Sequence, residues 1–168
     1  MEKQLFISIV ERYYPWISCL EKAAFQIHDD VNQKYDHVLP YGFHLKMVAS
    51  FVSRYGYLVA ESEADILVLY GSAYLHDTIE DARMTYNDIV KFIDDFRVGS
   101  LVLPEEIKRK LEEQVPEIVY ALTNEKGRNR KERANETYYK GIRDTRFASF
   151  IKMCDRLANI QYTMMVVF

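Results

Sequence analysis

The sequence predicts an all-α protein, a single bundle of about eight helices over residues 1–168. Three observations carry this reading. Apolar residues recur at steps of three and four through most segments, the period of a helix with one buried face. Glycine (six) and proline (four) are sparse, and few hairpin-type turns are available. The 168 residues, 49% of them hydrophobic, suit one sizeable core and are too few for two ordinary domains.

The first helix is expected at about Lys3 to Arg12, with Leu5, Phe6, Ile9 and Val10 on one face. Pro15 interrupts it. A second helix, about Trp16 to Tyr35, turns Ile17, Leu20, Ala24 and Ile27 inward, and the loop HVLPYG follows, punctuated by Pro40 and Gly42. A third runs from about Phe43 to Tyr55 with His44 in its first turn. A fourth opens on the capping pattern Ser62-x-x-Asp65 and runs through ILVLYGSAYL to about Asp81. Thr85 or Tyr86 begins the next, with Ile89, Val90, Phe92 and Ile93 apolar. Val98 to Leu103 reads as a loop ending at Pro104, a favoured first helical position. One helix is expected over Glu105 to Glu113 and another from Pro116. The segment from Lys126 to Arg146 is the most polar of the chain, and a last helix spans about Thr145 to Met165.

Composition narrows the function. A net charge of −3 does not suggest a nucleic-acid binder. Two cysteines, Cys19 and Cys154, form no CxxC pair, which fits a reducing cytoplasm and argues against a disulfide framework or a thiolate zinc site. The N-terminus lacks the pattern of a signal peptide, and no apolar run approaches the ~18 residues of a membrane span. The expectation is a soluble, cytoplasmic protein.

The stretch HDTIED, His76 to Asp81, concentrates ionisable groups at the inner end of an apolar helix. Burying four such groups is costly without a compensating partner, and a metal ion is the economical one. On a continuous helix with His76 at zero, Glu80 falls near about 40°, Asp77 near about 100° and Asp81 near about 140°, so all share one side. A solvated acidic helix end is the alternative, and the apolar run leading into the stretch counts against it. Further ligands are available in His44 and in Asp155, which lies in KMCDRLAN with Lys152 and Asn159 on its face. Taken singly, His44 suits a hydrogen-bonded core histidine and Asp155 an ion pair with Arg156.

An isolated histidine, then HD, then Asp, each on its own helix, resembles the pattern of HD-domain metal hydrolases. More closely, PYGFHLKMVA resembles the PYIxHPxxVA segment of the (p)ppGpp hydrolases, the RelA/SpoT-type and small alarmone hydrolases. YLHDTIED resembles their LLHDxxED segment, and IKMCDRLANI their KLADRLHNM segment. The three occur in the same order and span most of the chain from about Ala23 onward. Leu45 stands where the family has proline, and Ala158 where it has histidine.

The resemblance implies an HD-domain fold with His44, His76, Asp77 and Asp155 as metal ligands. It implies Glu80 and Asp81 as the catalytic acidic pair, Asn159 near the nucleotide, and Mn²⁺ as the ion. Iron, cobalt and zinc also suit a mixed imidazole–carboxylate shell. The implied reaction is hydrolysis of the 3′-pyrophosphate of (p)ppGpp to GDP or GTP and pyrophosphate by a metal-activated water. The alternative is an HD phosphohydrolase acting on a nucleoside monophosphate or NADPH; a non-catalytic regulatory module is disfavoured by the complete set of acids.

A polyanionic substrate calls for cations. Lys126, Arg128 and Arg130 in KGRNRKER are candidates, set in an otherwise acidic chain. Lys34 matches a basic position of the family. No nucleic-acid or membrane partner is expected, and the apolar end QYTMMVVF favours a homo-oligomer.

Overall fold

Helix α4, Glu63–Leu75, has every residue from Ala64 to Leu75 buried. Its sequence, EADILVLYGSAYL, is apolar on all sides, and such a helix is stable only when surrounded. A computed structural model of the chain describes residues 1–124 and 129–167, with the backbone alone for residues 130 and 131. It surrounds α4 with an all-α bundle. Around α4 pack α1 (Lys3–Arg12), α2 (Tyr14–Asp30), α3 (Gly42–Tyr55), α7 (Glu105–Leu122) and α10 (Ala148–Val167). The short α5 (Thr78–Asp81), α6 (Tyr86–Asp95), the single turn α8 (Arg130–Arg133), α9 (Glu136–Asp144) and a 3-10 turn at Gly56–Leu58 complete the described helices. The only described sheet is a two-stranded antiparallel ribbon, β1 (Lys34–Tyr35) with β2 (Leu39–Pro40). No described helix is long and apolar enough to cross a membrane.

The N-terminus of α4 is fixed by a capping box. The Ser62 side chain accepts from the Asp65 backbone N–H, and the Asp65 carboxylate accepts from the backbone N–H of Ser62. Asp65 is itself buried, and the Arg146 guanidinium donates to it at 3.1 Å, which ties the start of α4 to the segment entering α10. Thr85 and Asp88 form a second capping box at α6, where the sequence placed the helix start.

Four element boundaries differ from the sequence reading. The second helix ends at Asp30 instead of Tyr35, because Asn32 (φ 54°), Asp36 (φ 49°) and His37 (φ 65°) adopt left-handed backbone and fold 34–40 into the β ribbon. Lys34 therefore sits on a strand. The fourth helix stops at Leu75, and Thr78–Asp81 forms a separate turn of helix.

The two helices expected on either side of Pro116 are one, Glu105–Leu122. An interior proline costs roughly 3 kcal/mol through its missing N–H and its ring. The buried stripe of Ile107, Leu111, Val115, Ile118, Val119 and Leu122, packed on α4, outweighs that loss. The last helix begins at Ala148, three residues later than expected, since Phe147 takes φ 66°.

Helices α4 and α7 meet at Gly71, where an added Cβ would lie 3.1 Å from a Val115 methyl. A side chain there pushes apart the best-packed pair of helices. Gly71→Leu is expected to destabilise the fold by about 1–3 kcal/mol, read as a shift of the urea midpoint at unchanged slope.

Candidate metal centre and adjoining cleft

Two helix ends and one helix middle supply the site. His44 comes from the first turn of α3, His76 and Asp77 follow the last residue of α4, and Asp155 lies midway along α10. The break after α4 shapes it. His76 keeps helical backbone (φ −56°, ψ −31°), whereas Asp77 does not (φ −101°, ψ 3°). The Thr78 hydroxyl donates to the Leu75 carbonyl at 2.7 Å, replacing a bond of the helical ladder. On a continuous helix His76 and Asp77 would diverge by about 100°. Here Asp77 Oδ2 turns back to 2.8 Å from His76 Nε2.

The four side chains converge. His44 Nε2 lies 3.5 Å from Asp77 Oδ2 and 3.4 Å from Asp155 Oδ1, and His76 Nε2 lies 3.9 Å from Asp155 Oδ1. Ligand atoms of His44, His76 and Asp77 all fall within 4.8 Å of one another. Both imidazoles are buried.

His76 gives the fit test for a cation. Its Nδ1 stands 2.9 Å from the Ala73 carbonyl, which can only accept, so Nδ1 carries the proton. Nε2 is then the free lone pair of the neutral ring. It is buried and has no hydrogen-bond partner, even with Asp77 beside it. A fixed tautomer with its other nitrogen aimed at two carboxylates is the arrangement of a metal-binding histidine. The residues therefore fit a divalent ion of the Mn²⁺, iron, cobalt or zinc type.

Without an ion, protons take over part of that role. Burial alone would depress the His44 pKa, but Asp155 and Asp77 outweigh it and raise it to about 9. His76 is raised in the same sense against burial, chiefly by Asp77. Both carboxylates are held well below the usual range despite burial, Asp77 first by His76 and Asp155 first by His44.

Neighbouring hydrogen bonds hold the carboxylates. The Tyr41 hydroxyl lies 2.6 Å from Asp77 Oδ2 and 2.8 Å from Asp81 Oδ2. Tyr35 donates to Asn159 Oδ1 at 2.8 Å, and Asn159 Nδ2 donates to Asp155 Oδ1 at 2.9 Å. Lys152 reaches the other Asp155 oxygen at 2.9 Å, so the ion pair expected with Arg156 is made by Lys152 instead. Tyr35 also stacks on His44, ring centroids 5.0 Å apart. Behind Tyr41 lies His28, fully buried, stacked at 4.4 Å, with neither ring nitrogen hydrogen-bonded and its pKa brought down to about 4 by burial.

Beside the centre opens a polar cleft of about 340 Å³. Its lining includes the carboxylates Asp77, Glu80 and Asp81 together with the cations Arg133, Lys152 and Arg156. Burial, and next the charge of Asp77, push the Asp81 carboxyl up. Glu80 is exposed and is held by Asn124, whose Nδ2 donates at 2.8 and 3.0 Å. A second, more apolar cavity of about 290 Å³ lies between Trp16, Phe96 and Leu111 and adjoins none of these groups.

The sequence-derived residues fare unequally. His44, His76, Asp77 and Asp155 come together, and Glu80 and Asp81 share the adjoining cleft. Asn159 holds Asp155 rather than lining that cleft. Lys34 is exposed on β1 and also outside the cleft lining. Lys126 and Arg128 lie outside the described residues, as does the side chain of Arg130. Sequence reasoning missed Tyr35, Tyr41, His28 and Asn124. Lys152, three residues before Asp155, and Arg156, directly after it, were legible as a neighbour on its face and as an ion-pair partner, but not as cleft cations. No protein-family model, curated protein or solved structure matches the chain.

Asp77→Ala is expected to weaken Mn²⁺ binding by more than about 100-fold, Tyr35→Phe by about 10-fold, and Glu80→Ala hardly at all, measured by calorimetry. The pH dependence has two limbs. His44 has a folded pKa of about 9 against an ordinary 6.5, so its contribution is complete below 6.5 and is lost as pH rises through about 9. His28, at about 4, costs stability as pH falls from 6.5 towards 4. Metal-free protein should therefore melt highest between these limbs. Added Mn²⁺ should stabilise it more as pH rises, because the ion displaces the imidazole protons.

Proposed function

We propose that the protein is a metal-dependent phosphohydrolase that removes the 3′-pyrophosphate of (p)ppGpp, giving GDP or GTP and pyrophosphate. One observation carries the hydrolase reading. A four-residue imidazole–carboxylate cluster with an unpartnered buried nitrogen adjoins a cleft lined by both carboxylates and cations. The choice of substrate rests on the likeness of PYGFHLKMVA, YLHDTIED and IKMCDRLANI to segments of the alarmone hydrolases.

His44, His76, Asp77 and Asp155 would hold the ion, which when bound supplies Lewis-acid activation of water and of a phosphate oxygen. The chain does the remainder. Arg133, Lys152 and Arg156 face the position of a phosphate chain, and guanidinium groups suit bidentate contact with it. Asp81, with its raised pKa and its place next to Asp77, is the group suited to accept a proton from the attacking water. Glu80, fixed by Asn124, orients the attacking water. Tyr41 holds Asp77 and Asp81 in register.

A second reading, hydrolysis of another nucleotide such as a nucleoside monophosphate or NADPH, is favoured by Asn159. Its amide is engaged with Tyr35 and Asp155 and does not line the cleft, so the nucleotide contact implied by the family is not supported.

Incubation of the purified protein with Mn²⁺ and a nucleotide panel separates the two. Pyrophosphate released from ppGpp is the expected result, and orthophosphate from a monophosphate would overturn the substrate assignment. Asp81→Asn is expected to lower kcat by about 10²–10⁴-fold while Mn²⁺ binding is retained.

A further inference from the structure

Helix α10 carries an apolar stripe that the bundle leaves uncovered. Met153, Leu157, Ile160, Met164 and Val167 follow one another at alternating steps of four and three. On a helix these five fall within an arc of about 80°. Leu157 is partly buried, and the other four are exposed, Ile160 at 56% and Met164 at 59%. Beside the stripe runs an apolar groove of about 360 Å³, lined by Phe51 of α3 with Leu157, Ile160, Gln161, Met164 and Met165.

We propose that this stripe is the seam of a two-fold homodimer, in which α10 pairs with α10 of a second copy of the chain. The alternating spacing is half of a coiled-coil seam, which calls for another helix bearing the same spacing. The groove beside Phe51 supplies a hole for a side chain of that helix. The flanks decide which helix fits. Arg156 and Thr163 border the stripe on one side and Gln161 on the other, so an identical helix meets no opposed row of like charges. An acidic partner would find a single cation, and an anionic membrane would find no basic face. The area is sufficient. Without Val166, the exposed apolar side chains of α10 present roughly 500 Å² per copy, so a symmetric pair buries roughly 1,000 Å², about the least that a specific interface needs. An isologous contact closes on itself and leaves no second sticky surface.

The seam also touches the cleft. Arg156 lines the cleft and borders the stripe, so pairing fixes the stem of a cleft cation.

Sedimentation equilibrium of the full chain over a concentration series tests this. The wild type is expected to be a dimer. Ile160→Glu and Met164→Glu are each expected to raise the dissociation constant by at least about tenfold, and the double variant to be monomeric. Circular dichroism of the variants should match the wild type, since both positions are more than half exposed. Val166→Glu, equally exposed but on the far side of α10, should leave the dimer intact. If a glutamate variant fails to fold, Ile160→Gln serves with the same expectation in smaller measure. A monomeric wild type at every concentration overturns the proposal. So does open-ended association, or loss of the dimer in Val166→Glu to the same degree as in the seam variants.

Discussion

Helix α4 reaches the centre of the bundle with no solvent on any side, and a helix that ends there leaves carbonyls no water can satisfy. The residues that follow solve this locally. The His76 imidazole takes the Ala73 carbonyl, and the Thr78 hydroxyl takes the Leu75 carbonyl. Each solution has a chemical consequence. Once His76 Nδ1 is spent on a carbonyl, Nε2 can only face the interior. Once Thr78 has broken the ladder, Asp77 leaves the helix axis and closes on that same nitrogen. The candidate centre is thus a by-product of terminating a buried helix, and the polar groups that end α4 are the same ones that need a cation or protons to be buried at all.

The surrounding aromatic residues extend this logic. Tyr41 and Tyr35 flank His44 and secure the carboxylates, Tyr41 directly on Asp77 and Asp81 and Tyr35 through Asn159 on Asp155. The hydroxyl and amide donors reach Asp77 Oδ2 and Asp155 Oδ1, the same oxygens that face the imidazoles, and so fix their position. Such rigid, dry support keeps four side chains from three parts of the chain within a few ångströms. The β ribbon matters for this reason. It carries Tyr35 back over His44, which a helix continuing to Tyr35 would not do.

Much of this was legible in the sequence, for identifiable reasons. The all-α class followed from helical spacing and scarce turn residues, and the capping boxes at Ser62 and Thr85 gave two helix starts. His44, His76, Asp77 and Asp155 stood out because each is an ionisable group in an apolar context. What failed was local backbone. The left-handed residues Asn32, Asp36 and His37 carry no glycine to mark the turn. Pro116 misled in the other direction, because tertiary burial against α4 overrode a local rule. The break at Asp77 depends on side-chain bonds to carbonyls, which no periodicity reports. Tyr41 and Tyr35 were hidden because an aromatic ring reads as core, and only geometry shows where its hydroxyl points.

His28 stands apart from the rest of the interior. Its ring is fully buried, neutral, and without a hydrogen bond among the described residues, which costs the fold about 1–3 kcal/mol relative to an apolar ring of similar size. The return on that cost is a flat surface against which Tyr41 is set. On the proposed function, the stability given up at His28 serves the setting of Tyr41 beside Asp77 and Asp81. A sequence selected only for thermal endurance would abandon this imidazole early, and the freedom then gained by Tyr41 would be felt first at Asp77 and Asp81.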